Sequence, residues 1–596
     1  MALGLAPIFL LEAGLRIAGV GDAPTDLHAG FGNVSALFEH HPDESVWRTS
    51  LAKEQFFVSQ EFPDSKPKNE FRFFCLGGST VQGRPYRPET SFGKWLELEL
   101  NASDSSRQYR AINCGGISYA SYRLRPVMME ALTHEPDLII LATGHNEFLE
   151  DRTYSSVKSR SGARIWLENQ AKSLRTVMLL RKLVGGAPRV EPTEDDADQL
   201  SEGVEARLDD DAGYASYHRD EEWHDQVCSQ YHDSVVEMLD MCKQADVPVV
   251  LVRLGANHRD CPPFKSEHRI NLSVDDQQAW QRLFDEATAI DAKDPEAALK
   301  LYQQAMEIDD QYPLLHFRIA RCYDQLKQLD AARSSYRTAL SEDICPLRMV
   351  DRISADLLSI AENNSTMLVD AESVVAQSSP DQIPGYESYI DHVHPTIGVH
   401  QLIAQQIASV LRERKIVSGS ELTAESRRRT YARHFDSLNV AYFSNGRRRI
   451  GWLEGWARRQ RLADEVLPVD TRGYVAASIR YLDLHDYEQA SDHMQMALAI
   501  DTKAAPEILN HSANLFAQGR IKDARWVLQQ LQLGSLDESF GPGVDLAELM
   551  IAIEAGPPAD IQSAKEKHAE QWASVFADGP PAWKRQMPDL LQRLNK

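Results

Sequence analysis

The sequence predicts an α/β fold, a parallel sheet covered by helices on both faces, carrying additional all-α helical arrays. Two observations predict it. Short, continuous apolar runs alternate with amphipathic stretches between residues 70 and 415, as strands buried on both faces and their crossover helices do. Between the fourth and fifth of those runs the period changes: Ala297, Ala298, Tyr302, Ala305 and Asp309 recur 34 residues later as Ala331, Ala332, Tyr336, Ala339 and Asp343. A fixed period of that length marks stacked helix pairs.

The first strand is predicted over 71–76, in FRFFCLGGSTVQG, where a run with aromatic character stops at Gly77-Gly78-Ser79-Thr80. Glycines permit a tight turn, and Ser79 stands at its tip. A helix follows over 91–100 with Ser91 as its cap. A second strand covers 109–114, a helix 122–133, and a third strand 137–143 (DLIILAT). Residues 150–244 read as a helical, acidic insertion. Strands four and five fall at 247–254 and 366–370, and an amphipathic helix at 395–415 closes the α/β part. In domains, residues 70–275 and 346–416 form the α/β part, with an acidic insertion at 185–215. Residues 21–69 are a loop-rich lead-in, 276–345 a helical insertion and 423–596 a C-terminal helical domain. Tyr481, Ala490 and Ala497, with Leu515 and Ala524 one period on, extend the repeat pattern there. Period and residue types match the tetratricopeptide repeat. Because two helix pairs make a marginal array, the inserted and C-terminal helices are expected to join in one.

At 596 residues, 43% hydrophobic and 26% charged, the chain has the composition of a multidomain globular protein. A net charge of -24 excludes nucleic acid and anionic membrane surfaces as main partners. Seven cysteines without CxxC spacing or Cys/His clusters give neither a zinc site nor a disulfide framework. Cys75 and Cys114 read as small buried residues. No metal and no cofactor is expected. The N-terminal stretch MALGLAPIFLLEAGLRIAG is apolar but interrupted by Glu12 and Arg16. It reads as an amphipathic helix or as the tail (1–20) of a signal-anchor starting upstream. The second reading places the protein outside the cytoplasm, on the periplasmic face, tethered to the membrane; a cytoplasmic location is the alternative.

Chemistry-bearing residues fall at the ends of successive predicted strands. Ser79 follows the first. Asn113-Cys-Gly-Gly-Ile-Ser-Tyr follows the second, a turn able to aim a backbone N–H at an oxyanion. Gly144-His-Asn146-Glu147 follows the third, and Asp391-His-Val-His394-Pro precedes the last helix. Together they supply a nucleophile, a base, an orienting carboxylate and oxyanion donors. Taken singly, each has a plainer reading: a helix cap, a turn residue satisfying its own backbone, a metal ligand. Their joint placement favours acyl transfer. Asn257, Arg259 and Lys265, in the loop after the fourth strand, are candidate substrate contacts, with Arg259 or Lys265 anchoring an anionic or sugar-bearing substrate. The alternative is a solvated loop paired with its own carboxylates.

The chain resembles the SGNH (GDSL-type) hydrolases, closest to their tetratricopeptide-bearing bacterial members, over residues 71–411. Ser79 matches the family's serine, Asn146 its asparagine, and Asp391 and His394 its DxxH pair. The resemblance implies a flavodoxin-like α/β/α sandwich, attack by Ser79 on an ester carbonyl, His394 as base and Asp391 orienting it. The implied oxyanion hole is the Ser79 N–H, a backbone N–H from Gly116 or Ser118, and the Asn146 amide. Gly78 departs from the family's aspartate, and Glu147 stands where an aspartate is usual. The expected function is hydrolysis of an ester, an O-acyl group of a carbohydrate or lipid, through an acyl-serine, with repeats that bind a protein partner. O-acyl transfer in surface-polysaccharide modification is the alternative. A repeat scaffold on an idle hydrolase fold is the alternative of another class.

Overall fold

The computed structural model describes residues 35–150, 204, 206–209, 213–459, 468–533, 547, 548 and 551. The chain divides into two units. In the smaller, Met1–Leu37 with Glu150–Ala206, Glu150 and Ala206 form an antiparallel bridge. The larger, Phe38–Leu149 with Arg207–Lys596, carries everything that follows. The expected N-terminal anchor and most of the acidic insertion lie outside the described residues, among which no helix is long and apolar enough to cross a membrane.

Strands β1 (Phe38–His41), β2 (Val46–Thr49) and β3 (Glu61–Pro63) form a small antiparallel sheet. This differs from the loop-rich lead-in expected over 21–69, because strands of three or four residues are too short to display alternation. Phe38 and Phe62 seat the sheet edge-on against each other and His134. The main sheet comprises β4 (Glu70–Gly77), β5 (Gln108–Gly115), β6 (Leu138–Ala142), β7 (Val249–Arg253) and β8 (Met367–Asp370), all parallel, in the order β5-β4-β6-β7-β8. Every residue of β4, β6 and β7 is buried, the charged Glu70 and Arg72 of β4 pairing with each other at 2.7 Å.

The helices, in order, are α1 (Ser79–Gln82), α2 (Phe92–Ser103), α3 (Ser121–Leu132), α4 (Glu221–Gln244), α5 (Val274–Ile290), α6 (Pro295–Ile308), α7 (Pro313–Gln325), α8 (Leu329–Ser341) and α9 (Asp351–Asn363). After β8 come α10 (Ala371–Ser378), α11 (Ile397–Glu413), α12 (Ala424–Ser437), α13 (Val440–Arg459), α14 (Thr471–Asp483), α15 (Tyr487–Ile500), α16 (Ala505–Ala517) and α17 (Ile521–Leu533). Ser91 caps α2 by accepting from the Lys94 N–H. Alternate strand residues (Phe73, Cys75, Ile140, Val250, Val252) join Trp95 and Leu96 of α2 with Ile403 and Ile407 of α11 in one core. Helices α3, α4 and α9 pack together elsewhere on the sheet.

Helices α5–α8 pack in sequence as hairpins. Ala298, Tyr302 and Ala305, and their counterparts Ala332, Tyr336 and Ala339, are all buried, the small residues letting paired helices approach. The C-terminal hairpins repeat one contact: Ser478 donates to the Ala490 carbonyl and Ser512 to that of Ala524, each at 2.9 Å. The single joint array is not formed. The inserted helices have their own cores, one completed by Ile383 from the α/β part. Helices α14–α17 have another, while Tyr431 of α12 and Phe443 and Ile450 of α13 enter the main core. The apolar cores of the two helical groups thus stay separate, and each group packs on the α/β part.

Candidate active site

Register places the site. Gly77 pairs with Gly115 on one side and Ala142 on the other, so three strands end level at the carboxyl edge. The central strand β4 has neighbours whose connections run in opposite directions, the topological switch point where α/β sheets open a crevice. Ser79, Ser118 and Asn146 leave from those three strand ends.

Gly78, in extended conformation, is the N-cap of the one-turn helix α1, and Ser79 is its first residue. Gly83 ends the turn at φ 90°, a left-handed conformation that favours glycine. Between Phe71 and Gly83, Ser79 alone is not fully buried. Its Oγ lies 2.7 Å from His394 Nε2, and His394 Nδ1 lies 2.6 Å from Asp391 Oδ2. The carboxylate can only accept, so Nδ1 carries the proton and Nε2 accepts from the Ser79 hydroxyl.

The loop holding the pair is fastened at many points. Asp391 Oδ1 accepts from the N–H groups of Val393 and His394, both at 2.9 Å. Burial alone would raise its carboxyl, but His394, His392 and these hydrogen bonds hold it far below the usual carboxylate range. The Ile390 N–H donates to the His394 carbonyl at 2.8 Å. From the α14 helix, Arg480 Nε donates to the Ile390 carbonyl at 2.5 Å, and Asp483 accepts from the Ile397 N–H at 3.3 Å. His145 sits close enough to feel His392 and His394. Burial first, then those two rings, push it down to about 3, so it is neutral, and its Nδ1 accepts from the Met349 N–H at 3.0 Å.

Asn146 Nδ2 donates to the Tyr119 carbonyl at 3.0 Å and lies against Gly78, where an added Cβ would stand 2.5 Å from that nitrogen. Glycine at 78 is what lets the amide approach the nucleophile turn. Glu147 is buried under the start of α3, accepting from Ser121 N at 2.9 Å and Ser121 Oγ at 2.7 Å. In the loop after β5 the N–H of Gly116 is taken by the Gly77 carbonyl, that of Ile117 by Phe56, and that of Tyr119 by Gly116. Gly116 is therefore not available as a donor. Ser118, at φ 62°, keeps its N–H without a partner among the described residues.

The three expected substrate contacts are not at the surface. Asn257 is fully buried; its N–H donates to the His392 carbonyl at 2.9 Å and its amide to that of Asp391 at 3.2 Å. It braces the histidine loop. Arg259 pairs with Asp324 at 2.7 Å and Asp381 at 3.1 Å, tying α7 to the α/β part. Lys265 is buried on the carbonyls of Tyr214 and Tyr217 and pairs with Glu267 at 3.0 Å. The charges are consumed internally, by carboxylates and carbonyls rather than by solvent. Arg259→Ala is expected to cost about 3 kcal/mol of stability in denaturant unfolding, since it removes the buried guanidinium that pairs with half-buried Asp324, with KM for a small ester unchanged. Unchanged stability with a raised KM would return Arg259 to the substrate.

Among the described residues no group of three or more His, Cys, Asp or Glu is arranged to hold a metal ion. The tetratricopeptide repeat family matches residues 289–343. No curated protein matches the chain in sequence. Among solved structures, the chain is similar to an acetyl xylan esterase, AlAXEase, at 10% identity and a TM-score of 0.27, over 57% of this chain and 99% of that one. It is also similar to a protein described as lipolytic, of the G-D-S-L family, from Desulfitobacterium hafniense, at 10% identity and a TM-score of 0.24, with the same coverage. Similarity at this level assigns no function.

Proposed function

We propose that this protein is a serine ester hydrolase of the SGNH type, with the flavodoxin-like α/β/α core of that group, acting on an O-acyl group of a carbohydrate or lipid. The observation that carries the reading is the line Ser79 Oγ, His394, Asp391, with contacts of 2.7 and 2.6 Å at the open end of the sheet. His394 Nε2 takes the hydroxyl proton as Ser79 Oγ adds to the ester carbonyl. Asp391, ionised, holds the tautomer that leaves Nε2 free to accept and stabilises the imidazolium that forms. The oxyanion is met by the N–H groups of Ser79 and Ser118 and by the Asn146 amide, each donor lowering the barrier by about 3 kcal/mol. On collapse, the Nε2 proton passes to the leaving alcohol oxygen, and water then cleaves the acyl-serine by the same route.

The test is hydrolysis of 4-nitrophenyl acetate by the purified protein, with and without a polysaccharide acceptor. Acetate release independent of acceptor is the expected result. Turnover only with acceptor, with acetyl recovered on the glycan, would make the protein a transferase; neither would leave the fold as a platform for its repeats. Within the hydrolase reading, Asn146→Ala is expected to lower kcat by about 10²–10³-fold with little change in KM, because an oxyanion donor acts in the transition state. An effect confined to KM would make Asn146 a ground-state contact.

A further inference from the structure

The chain carries 88 acidic residues against 64 lysines and arginines, so its arginines rarely lack a carboxylate. Arg72, Arg253, Arg259, Arg472, Arg480 and Arg520 each hold one or more. Beside the nucleophile the pattern fails. Arg84, Arg87 and Arg449 stand together without an ion pair among the described residues. Burial first, then the like charges of Arg449 and Arg87, lower the Arg84 guanidinium to about 10. Arg449 is lowered too, by burial and then by Arg87, opposed by Tyr442 and, less, by Glu89.

The group is built on a fixed platform next to Ser79. The Arg84 N–H donates to the Ser79 carbonyl at 3.1 Å. The Arg84 side chain runs back to Gln82 Oε1 at 2.8 Å, and the Gln82 amide in turn holds the Gly115 carbonyl at 3.1 Å, at the root of the Ser118 loop. From the α13 helix, Tyr442, Gly446 and Arg449 share one face, spaced four and three residues apart. Tyr442 accepts from the Arg87 N–H, Gly446 lies flat on the Tyr86 ring, and Arg449 Nη1 donates to the Pro85 carbonyl at 2.9 Å. Most of the guanidinium donors of Arg84 and Arg87 have no partner among the described residues. Arg84 is half-buried, Arg87 and Arg448 are exposed, and both of these add to the positive charge felt by Arg449.

We infer that Arg84, Arg87 and Arg449 form a subsite for an oxyanionic group carried by the ester substrate itself, in the form of the carboxylates of an acidic, uronate-type glycan. Mutually repelling cations, held close by the fold, are stabilised by an anion that accepts from several of them at once. A cluster that extends from half-buried Arg84 and Arg449 to exposed Arg87 and Arg448 fits a polymer with repeated charges better than a single enclosed phosphate. A bilayer would have to meet the surface of a chain of net charge -24, whereas one glycan strand need meet only the cluster. The inference rests on the proposed ester chemistry only for which molecule bears the anion.

Binding is therefore measured without turnover, by titration calorimetry on the full-length Ser79→Ala protein. Oligogalacturonate is expected to bind, more weakly as salt is raised, and neutral xylo-oligosaccharide is not. Adding Arg449→Gln, or Arg87→Gln at an exposed side chain whose loss cannot unfold the protein, is expected to weaken oligogalacturonate about tenfold, one charge-assisted hydrogen bond's worth. Equal binding of the neutral sugar, or oligogalacturonate affinity unmoved by Arg87→Gln, would overturn the subsite. So would binding of inorganic phosphate or phosphatidylglycerol vesicles without the oligouronate. Failure of 4-nitrophenyl acetate hydrolysis by the unmodified protein would count against the esterase reading alone.

Discussion

Ser79→Ala is expected to lower hydrolysis of 4-nitrophenyl acetate by about 10⁴–10⁶-fold, leaving at most the modest residue that oxyanion donors and binding supply alone. The fold should be untouched. The hydroxyl stands at a partly exposed turn and its only hydrogen-bond partner among the described residues is His394. The Ser79 carbonyl, which anchors Gly83 and Arg84, is retained in alanine. Thermal unfolding should therefore superpose on that of the unmodified protein while activity disappears. Activity at the unmodified level would move the nucleophile elsewhere and end the proposed mechanism.

Asp391→Asn is expected to lower kcat by about 10⁴-fold with the structure intact. An asparagine can keep its carbonyl oxygen on the N–H groups of Val393 and His394, where Oδ1 now accepts. Its NH₂ then faces His394 Nδ1, which must accept instead of donate. The ring proton moves to Nε2, and the group that should take the Ser79 proton already carries one. The loop stays in place because Asn257 and Arg480 hold its backbone independently of the carboxylate. A loss of only a few-fold would mean that Asp391 serves the loop and not the imidazole.

Much of this geometry could be read from local sequence. The strands of the main sheet are mostly apolar segments, and Ser79, Ser118 and Asn146 sit within a few positions of a strand end, so strand order and register bring those three together. What could not be read depends on partners far along the chain. Arg259 looked like a free cation because Asp324 and Asp381, which neutralise it, belong to a different helical group and a different loop. Asn257 looked like a ligand residue, and its role in bracing the histidine loop rests on carbonyls more than a hundred residues later. Gly116 and Ser118 are equivalent on paper. Only the Gly77 carbonyl, across the sheet, decides which N–H remains open. The Arg84 group was invisible for the same reason, since Arg449 joins it from beyond the whole α/β part. The small β1–β3 sheet was missed because its hydrophobic signal is spread over isolated residues such as Phe38 and Phe62 rather than a run.

Whether Ser79 is an activated nucleophile is decided by covalent trapping. The protein is treated with a small fluorophosphonate, which esterifies a serine made nucleophilic by an adjacent base, and is then analysed by intact mass and peptide mapping. A single phosphonyl adduct on Ser79 is expected, absent from Ser79→Ala and strongly slowed in His394→Ala, with 4-nitrophenyl acetate hydrolysis lost in step with labelling. No adduct, or an adduct on another residue formed equally in Ser79→Ala, would contradict it.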